Sequence, residues 1–138
     1  MSAEFVWPVR VYYEDTDAGG VVYHANYLRF MERARNEWLR QAGYPIKTIV
    51  EQCKTIFVVR SVQMKFMRPA HLDDALLISV SVIKMKRASM LLKQQVRKQS
   101  EGVVEVLMQA EIELATVSSE TFKPIAVPTF LNNQLHNL

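Results

Sequence analysis

The chain has 138 residues, 49% hydrophobic and 22% charged, which suits one globular domain and excludes extensive disorder. The net charge is only +3 and the basic residues are scattered rather than gathered in the dense stripe typical of nucleic-acid binders, so no nucleic-acid partner is expected. No apolar run approaches the roughly 18 residues of a membrane span, no secretory signal is recognisable, and a single cysteine, Cys53, indicates a reducing cytoplasm.

The first predicted elements are a strand and a long helix. Phe5–Tyr12 combines aromatic and β-branched residues and is predicted as a strand, with Pro8 indicating an edge or a bulge. Apolar residues then recur at spacings of four, three and four on one helical face: Tyr27, Met31, Ala34 and Trp38. We therefore predict a helix over His24–Gln41 that stops at Gly43, followed by a short helix over Ile46–Gln52.

In the rest of the chain, apolar and polar residues alternate with a period of two, which predicts four more strands. Their apolar positions fall within Val58–Phe66, Leu76–Val82, Ser89–Lys98 and Val104–Leu114. Glu101 and Gly102 are predicted to form the hairpin turn between the last two strands. Short connections imply antiparallel neighbours, and a broad apolar helix face needs a sheet to cover it. The predicted fold class is α+β, an antiparallel sheet of about five strands wrapped around one long helix.

We expect a single domain over residues 1–131 and a frayed tail over residues 132–138. The exposed edge of such a sheet favours pairing with a second subunit. Metal binding is not expected, because none of the three histidines has a ligand-like spacing to Cys53.

The loop Tyr13–Tyr27 concentrates the candidate chemistry. Three carboxylates, Glu14, Asp15 and Asp17, precede two glycines and the predicted start of the helix. Helix N-termini present unpaired N–H groups to an anion or a developing oxyanion, and a nearby carboxylate can serve as base or nucleophile. These are the parts that acyl transfer needs. The same residue types also build ordinary turns, so a purely structural loop stays open.

The other candidates in the sequence are weaker. His24 could act as a base or be a structural residue, and Cys53 is predicted to be buried and inert. The serines lack the Gly-x-Ser-x-Gly elbow of hydrolases, and no phosphate-binding glycine motif is present.

Residues 16–24 read Thr-Asp-Ala-Gly-Gly-Val-Val-Tyr-His, and with the preceding stretch from Trp7 they resemble the active-site signature of the 4-hydroxybenzoyl-CoA thioesterase family. The longer run is similar to the Tol–Pal-associated branch of bacterial acyl-CoA thioesterases. The similarity continues through Glu32–Arg35, Phe57–Arg60 and Pro69–Asp74.

This resemblance implies a hot-dog fold and an acyl-CoA thioesterase that hydrolyses its substrate to free acid and CoA. It implies no cofactor, because CoA is part of the substrate. The family's catalytic carboxylate falls on Asp17, and its carbonyl-polarising backbone N–H falls on His24. Tyr13 and the His24 side chain are the implied helpers. Whether the carboxylate attacks the thioester or activates water stays open.

The resemblance further implies a homodimer or homotetramer with active sites at the subunit interface. Lys86, Arg87 and Ser89 are the implied contacts to the CoA phosphates, with Arg60 as an additional contact. Tyr27 and Met31 could line an acyl slot, although core packing is their commoner use. The acyl length is not indicated.

Two alternatives to the enzyme remain. The protein could bind acyl carrier protein or a phospholipid-synthesis complex with little catalysis, since an acidic carrier would suit its excess of basic charge. A hot-dog dehydratase is less expected, because the loop offers Thr16 and Asp17 rather than a histidine-centred site. A cytoplasmic location is predicted, and peripheral association with the inner membrane stays open.

Overall fold

The computed structural model describes residues 4–129 and contains five strands and two helices. The strands are β1 (Phe5–Arg10), β2 (Thr55–Phe66), β3 (Ala75–Met85), β4 (Ser89–Ser100) and β5 (Val103–Ser118), and the helices are α1 (Asn26–Gln41) and α2 (Ile46–Cys53). The predicted α+β class and the predicted element order are confirmed. The tail over residues 132–138 lies outside the described residues.

The strands form one antiparallel sheet in the order β1-β3-β4-β5-β2. Glu101 and Gly102 connect the paired residues Ser100 and Val103, and both have positive φ angles, 49° and 78°. Two positive φ angles in a two-residue loop are typical of a type I′ turn, whose twist matches that of the strands. The predicted hairpin turn is therefore confirmed.

Helix α1 lies across one face of the sheet and supplies much of the core. The spacing that predicted this face is confirmed, because Tyr27, Met31, Ala34 and Trp38 are all buried. Phe30 and Leu39 are buried beside them, whereas Leu28 is 41% exposed. These side chains pack against inward-facing residues of β3, β4 and β5, such as Ile78, Leu92 and Ile112. The helix begins two residues later than predicted, because the N–H of Asn26 donates to the carbonyl of Tyr23 in a preceding turn.

One polar group sits in the middle of this core. Gln94 occupies an inward position of β4 and is fully buried. Its amide donates to the carbonyls of Met31 and Ser79, at 3.1 and 3.3 Å, and its oxygen accepts a hydrogen bond from Arg35 at 3.0 Å. Burial lowers the pKa of Arg35. The hydrogen bonds explain how a polar residue is accommodated where strand alternation calls for an apolar one.

The sheet has two ends with different contents. At the loop end, β1 stops at Arg10 and β3 begins at Ala75, since these two residues are paired. At the opposite end, residues 86–88 connect β3 to β4, and we call this the hairpin end after that connection. The Glu101–Gly102 turn lies at the loop end. The 11 residues of β3 separate the two ends by roughly 30 Å, at about 3.3 Å per residue.

Candidate active site at the start of the central helix

The loop between β1 and α1 is held against the segment that precedes β3. Val11 exchanges backbone hydrogen bonds with this segment, donating to Asp74 at 3.0 Å and accepting from Asp73 at 2.9 Å. Further along, the N–H of Val22 donates to the carbonyl of Ala70 at 2.9 Å. Backbone hydrogen bonds therefore anchor the loop at both of its ends, at Val11 and at Val22.

Asp17 lies at the tip of a tight hairpin within this loop. Its backbone N–H donates to Val21 at 2.9 Å, and its carbonyl accepts from Gly20 at 3.0 Å. Its Oδ1 accepts a hydrogen bond from the N–H of Gly19 at 2.8 Å, and a Cβ on Gly19 would lie 3.3 Å from that oxygen. Gly20 has a φ of 78°, which an L side chain rarely adopts. The two glycines thus permit the turn that orients the carboxylate.

The Asp17 carboxylate is exposed and faces an open cavity of about 300 Å³. The cavity is lined by residues of the hairpin and of the first turns of the helix: Glu14, Thr16, Asp17, Tyr23, Ala25, Asn26 and Arg29. We define this cavity, with its lining residues, as the Asp17 cavity. Its lining includes both a carboxylate and the N-terminus of α1, which is the positive end of the helix dipole.

Backbone donors are available where the helix starts. Within residues 4–129 the structure provides no acceptor for the N–H groups of His24 and Ala25, whereas those of Tyr23, Asn26 and Leu28 are bonded to carbonyls. Ala25 is the N-cap and supplies no side-chain cap. Ala25 lines the Asp17 cavity and His24 precedes it in the chain, and unbonded N–H groups at a helix start are suited to holding an oxygen that becomes negative during a reaction.

The two aspartates of the Asp-Thr-Asp run face opposite ways. Asp15 is only 6% exposed, and its two carboxylate oxygens accept from the N–H of Tyr12 and from the Asn26 side chain, each at 2.8 Å. The intervening Thr16 is extended, so alternation sends Asp15 inward and Asp17 outward. The family resemblance singled out Asp17, but the sequence alone did not show that Asp15 is buried and hydrogen-bonded.

Neither of the two predicted helper side chains, Tyr13 and His24, lines the cavity within one chain. Tyr13 is 83% exposed in a short 3₁₀ turn and does not line the cavity. His24 is not among the lining residues either, and its ring packs against Tyr23, with centroids 4.5 Å apart. Tyr23 and Arg29 line it instead, although neither was predicted from the sequence. Helical spacing offered a signal for Arg29, since it lies one turn beyond Ala25 and Asn26.

The predicted phosphate contacts lie far from Asp17 within one chain. Lys86 and Arg87 are exposed at the hairpin end, where the N–H of Lys86 bonds to Ser89 and the carbonyl of Arg87 accepts from Val127. Ser89 itself is 8% exposed. The length of β3 separates this group from the Asp17 cavity, so one chain does not bring the predicted set together.

Arg60 lies between the two ends, on β2. Its side chain is exposed, and its Nε lies 4.0 Å from Glu113 on the neighbouring strand. An ion pair this long and this exposed holds the guanidinium weakly. Arg60 therefore stays available to a ligand at the sheet edge.

The residues proposed for an acyl slot belong to the core. Tyr27 and Met31 are 2% and 0% exposed. The Tyr27 hydroxyl accepts a hydrogen bond from the N–H of Ala70 at 3.0 Å, and burial raises the pKa of Tyr27. Both side chains therefore pack in the core and do not line an exposed acyl slot in this chain.

Three further observations concern metal binding, membrane spans and the cysteine. Across residues 4–129, no group of three or more His, Cys, Asp or Glu side chains is placed to hold a metal ion. No helix in the same range is long and apolar enough to cross a membrane. Cys53 is a free thiol, partly buried against the core.

The chain is similar to known thioesterases in sequence and in fold. Residues 19–105 match the thioesterase superfamily. The chain is 40% identical over 134 residues to the acyl-CoA thioesterase YbgC of Haemophilus influenzae, covering 97% of this chain and 96% of the relative. A probable thioesterase from Bartonella henselae superimposes with a TM-score of 0.83 at 35% identity, covering 91% of this chain and all of the other.

The fold is shared more widely than the sequence. The 4-hydroxybenzoyl CoA thioesterase of Pseudomonas sp. strain CBS-3 superimposes with a TM-score of 0.86 at 22% identity, covering 95% of this chain and 98% of the other. The hot-dog fold implied by the sequence resemblance is thereby confirmed. The chain belongs to the thioesterase superfamily.

Proposed function

We propose that the protein is an acyl-CoA thioester hydrolase in which Asp17 is the catalytic carboxylate. The observation that carries this proposal is the Asp17 cavity, which is lined both by the exposed Asp17 and by Ala25, the N-cap of α1, whose N–H has no acceptor within residues 4–129. Membership of the thioesterase superfamily and the name of the Haemophilus relative support the substrate class.

In the proposed reaction, the thioester carbonyl oxygen binds at the N–H groups of His24 and Ala25. Attack on the carbonyl carbon moves negative charge onto that oxygen, and the helix start stabilises the charge as it develops. Removal of one such donor from other enzymes costs roughly 2.7–4 kcal/mol of transition-state stabilisation. The backbone of His24, rather than its ring, has this role.

Asp17 supplies the second half of the chemistry. It either takes a proton from a water molecule that attacks the carbon, or attacks the carbon itself to give a mixed anhydride that water then hydrolyses. In both routes the carbon–sulfur bond breaks and CoA leaves as a thiolate. Water supplies the oxygen and the protons that complete the free acid and CoA. The hydrogen bond from Gly19 fixes the carboxylate while leaving it exposed to substrate.

A second subunit completes the site in this proposal. Within residues 4–129, β2 is an edge strand that pairs with β5 alone, and Val58 and Val59 on it are 37% and 46% exposed. Edge strands with exposed apolar residues are suited to pairing with another chain. A homodimer formed there would bring Lys86 and Arg87 of one protomer toward the Asp17 cavity of its partner.

The remaining partners and locations stay predictions from sequence. They are a homotetramer, an association with Tol–Pal, a cytoplasmic or peripheral inner-membrane location, and acyl carrier protein as a binding partner. A pull-down with acyl carrier protein, using wild type and Asp17→Asn, separates a binding function from hydrolysis.

The proposal is tested by thiol release from a panel of short, long and aromatic acyl-CoAs. Asp17→Asn keeps the oxygen that accepts from Gly19, so the hairpin is expected to fold. We expect kcat to fall by about 100-fold or more, since a positioned acid–base group contributes roughly 10²–10⁴. Asp73→Asn is the matched control, because Asp73 is exposed at the loop end with a φ of 68° that Asn tolerates. Normal turnover by folded Asp17→Asn would refute the assignment.

A further inference from the structure

We propose that Asp15 is a positioning residue that sets the distance between the Asp17 carboxylate and the N–H groups at the start of α1. This inference rests on the proposed function. Asp15 does not line the Asp17 cavity, so it acts through the groups it holds rather than on the substrate.

The contacts of Asp15 join three parts of the site. Its carboxylate accepts from Tyr12, before the 3₁₀ turn, and from Asn26, the first residue of α1. Its carbonyl accepts from the N–H of Tyr23, after the Asp17 hairpin, at 3.0 Å. One buried residue therefore fastens both ends of the hairpin and the helix start to each other.

The hydrogen bond to Asn26 is the most direct of these links. Asn26 is 7% exposed, lines the Asp17 cavity, and immediately follows Ala25 with its unbonded N–H. Asp17 lies only two residues beyond Asp15 on the other side of the link. A change in this single contact would alter the relation between carboxylate and oxyanion donors, and a displacement of about 1 Å can cost roughly 100-fold in rate.

The hydrogen bond between Asp15 and Asn26 needs an acceptor at position 15 and a donor at position 26. Both carboxylate oxygens of Asp15 accept from N–H donors, and no Lys, Arg or His within residues 4–129 forms an ion pair with it. An amide at position 15 can offer only one acceptor, so Asp15→Asn sets an N–H group against one of the two donors. Asn26→Asp sets two carboxylates at hydrogen-bond distance. The double variant exchanges donor and acceptor and restores the pair.

The test compares kcat and KM of Asp15→Asn, Asn26→Asp and the Asp15→Asn/Asn26→Asp double variant by thiol release. We expect each single variant to lose about 10- to 100-fold in kcat with KM changed less than about threefold. We expect the double variant to regain at least about tenfold over the weaker single variant. Asp73→Asn is the charge-removing control and is expected to retain wild-type kcat.

A second measurement keeps the inference separate from the proposed function. Amide hydrogen exchange at Tyr12, Gly19 and Tyr23 is expected to be faster in the single variants and slower again in the double variant. Should the wild type release no thiol, the proposed function fails, while the exchange data still decide whether Asp15 fastens the hairpin. Folded single variants with wild-type kcat, or a double variant no better than the singles, would overturn the inference.

Discussion

The loop end and the hairpin end of the sheet carry different halves of the proposed site. The loop end has the Asp17 carboxylate, unbonded helix N–H groups and a buried hydrogen-bond network that holds them. The hairpin end has the exposed cations Lys86 and Arg87, whose backbone is tied to Ser89 and Val127. The proposed reactive groups and the proposed phosphate contacts therefore lie roughly 30 Å apart in one chain, so our proposal needs a second subunit to bring both to one substrate.

Subunit complementation gives the largest effect that separates the two ends. Lys86→Ala/Arg87→Ala is expected to raise KM for acyl-CoA about 10- to 100-fold, since a hydrogen bond to a charged group contributes about 1.5–3 kcal/mol. Asp17→Asn is expected to be nearly inactive. Mixed dimers of these two chains, prepared by co-expression with different tags, should regain about half of the wild-type activity at low substrate, because one of their two sites is intact.

Co-expression also yields the two homodimers, which serve as controls. Neither homodimer has an intact site, so each should keep the activity of its parental variant. Mixed dimers with no more activity than the sum of the two parental dimers would show that the two ends do not cooperate across subunits.

A pair of glycines sharpens the comparison at an intermediate size of effect. Gly20 in the Asp17 hairpin and Gly43 after α1 have φ angles of 78° and 95°, and a Cβ at either would contact nothing within 4 Å. Alanine at either position is therefore expected to lower the free energy of unfolding by about 1 kcal/mol through backbone strain alone.

Only Gly20→Ala is expected to lower kcat as well, by about tenfold, because it distorts the hairpin that holds Asp17. Thermal unfolding and thiol release measured on both variants check this prediction. An equal loss of kcat in Gly43→Ala would show that activity follows overall stability rather than the geometry of the loop.

The smallest expected effect tests whether being at the loop end is enough to affect catalysis. Glu101 belongs to the β4–β5 turn at that end, has a φ of 49°, and lies outside the Asp17 cavity. Glu101→Asn is expected to raise the free energy of unfolding by about 0.5 kcal/mol, since Asn tolerates positive φ better than Glu. Denaturant unfolding should detect the gain while kcat stays unchanged. A change in kcat would extend the site beyond the cavity.

Much of the fold follows from patterns that the sequence displays directly. The period of α1 identified its buried face, and alternation in β5 identified the longest strand, because burial imposes these periods on any amphipathic element. Gln94 departs from the pattern of β4, since its inward position depends on long-range partners in α1 and β3. No local rule predicts such a partner.

The site was less accessible to sequence reasoning. The glycine-rich loop and the helix start marked the region of Asp17, and the structure places both around one cavity. The inward position of Asp15 depends on Asn26, 11 residues away. The position of Tyr13, outside the Asp17 cavity of its own chain, depends on the path of the 3₁₀ turn. The distance from Asp17 to Lys86 became apparent only from the strand register.

The most direct test of the central claim is a crystal structure of Asp17→Asn with an acyl-CoA bound. The account predicts that the thioester oxygen lies within hydrogen-bond distance of the His24 or Ala25 N–H, with the thioester carbon facing residue 17. A thioester bound away from the start of α1, or facing a different carboxylate, would contradict it.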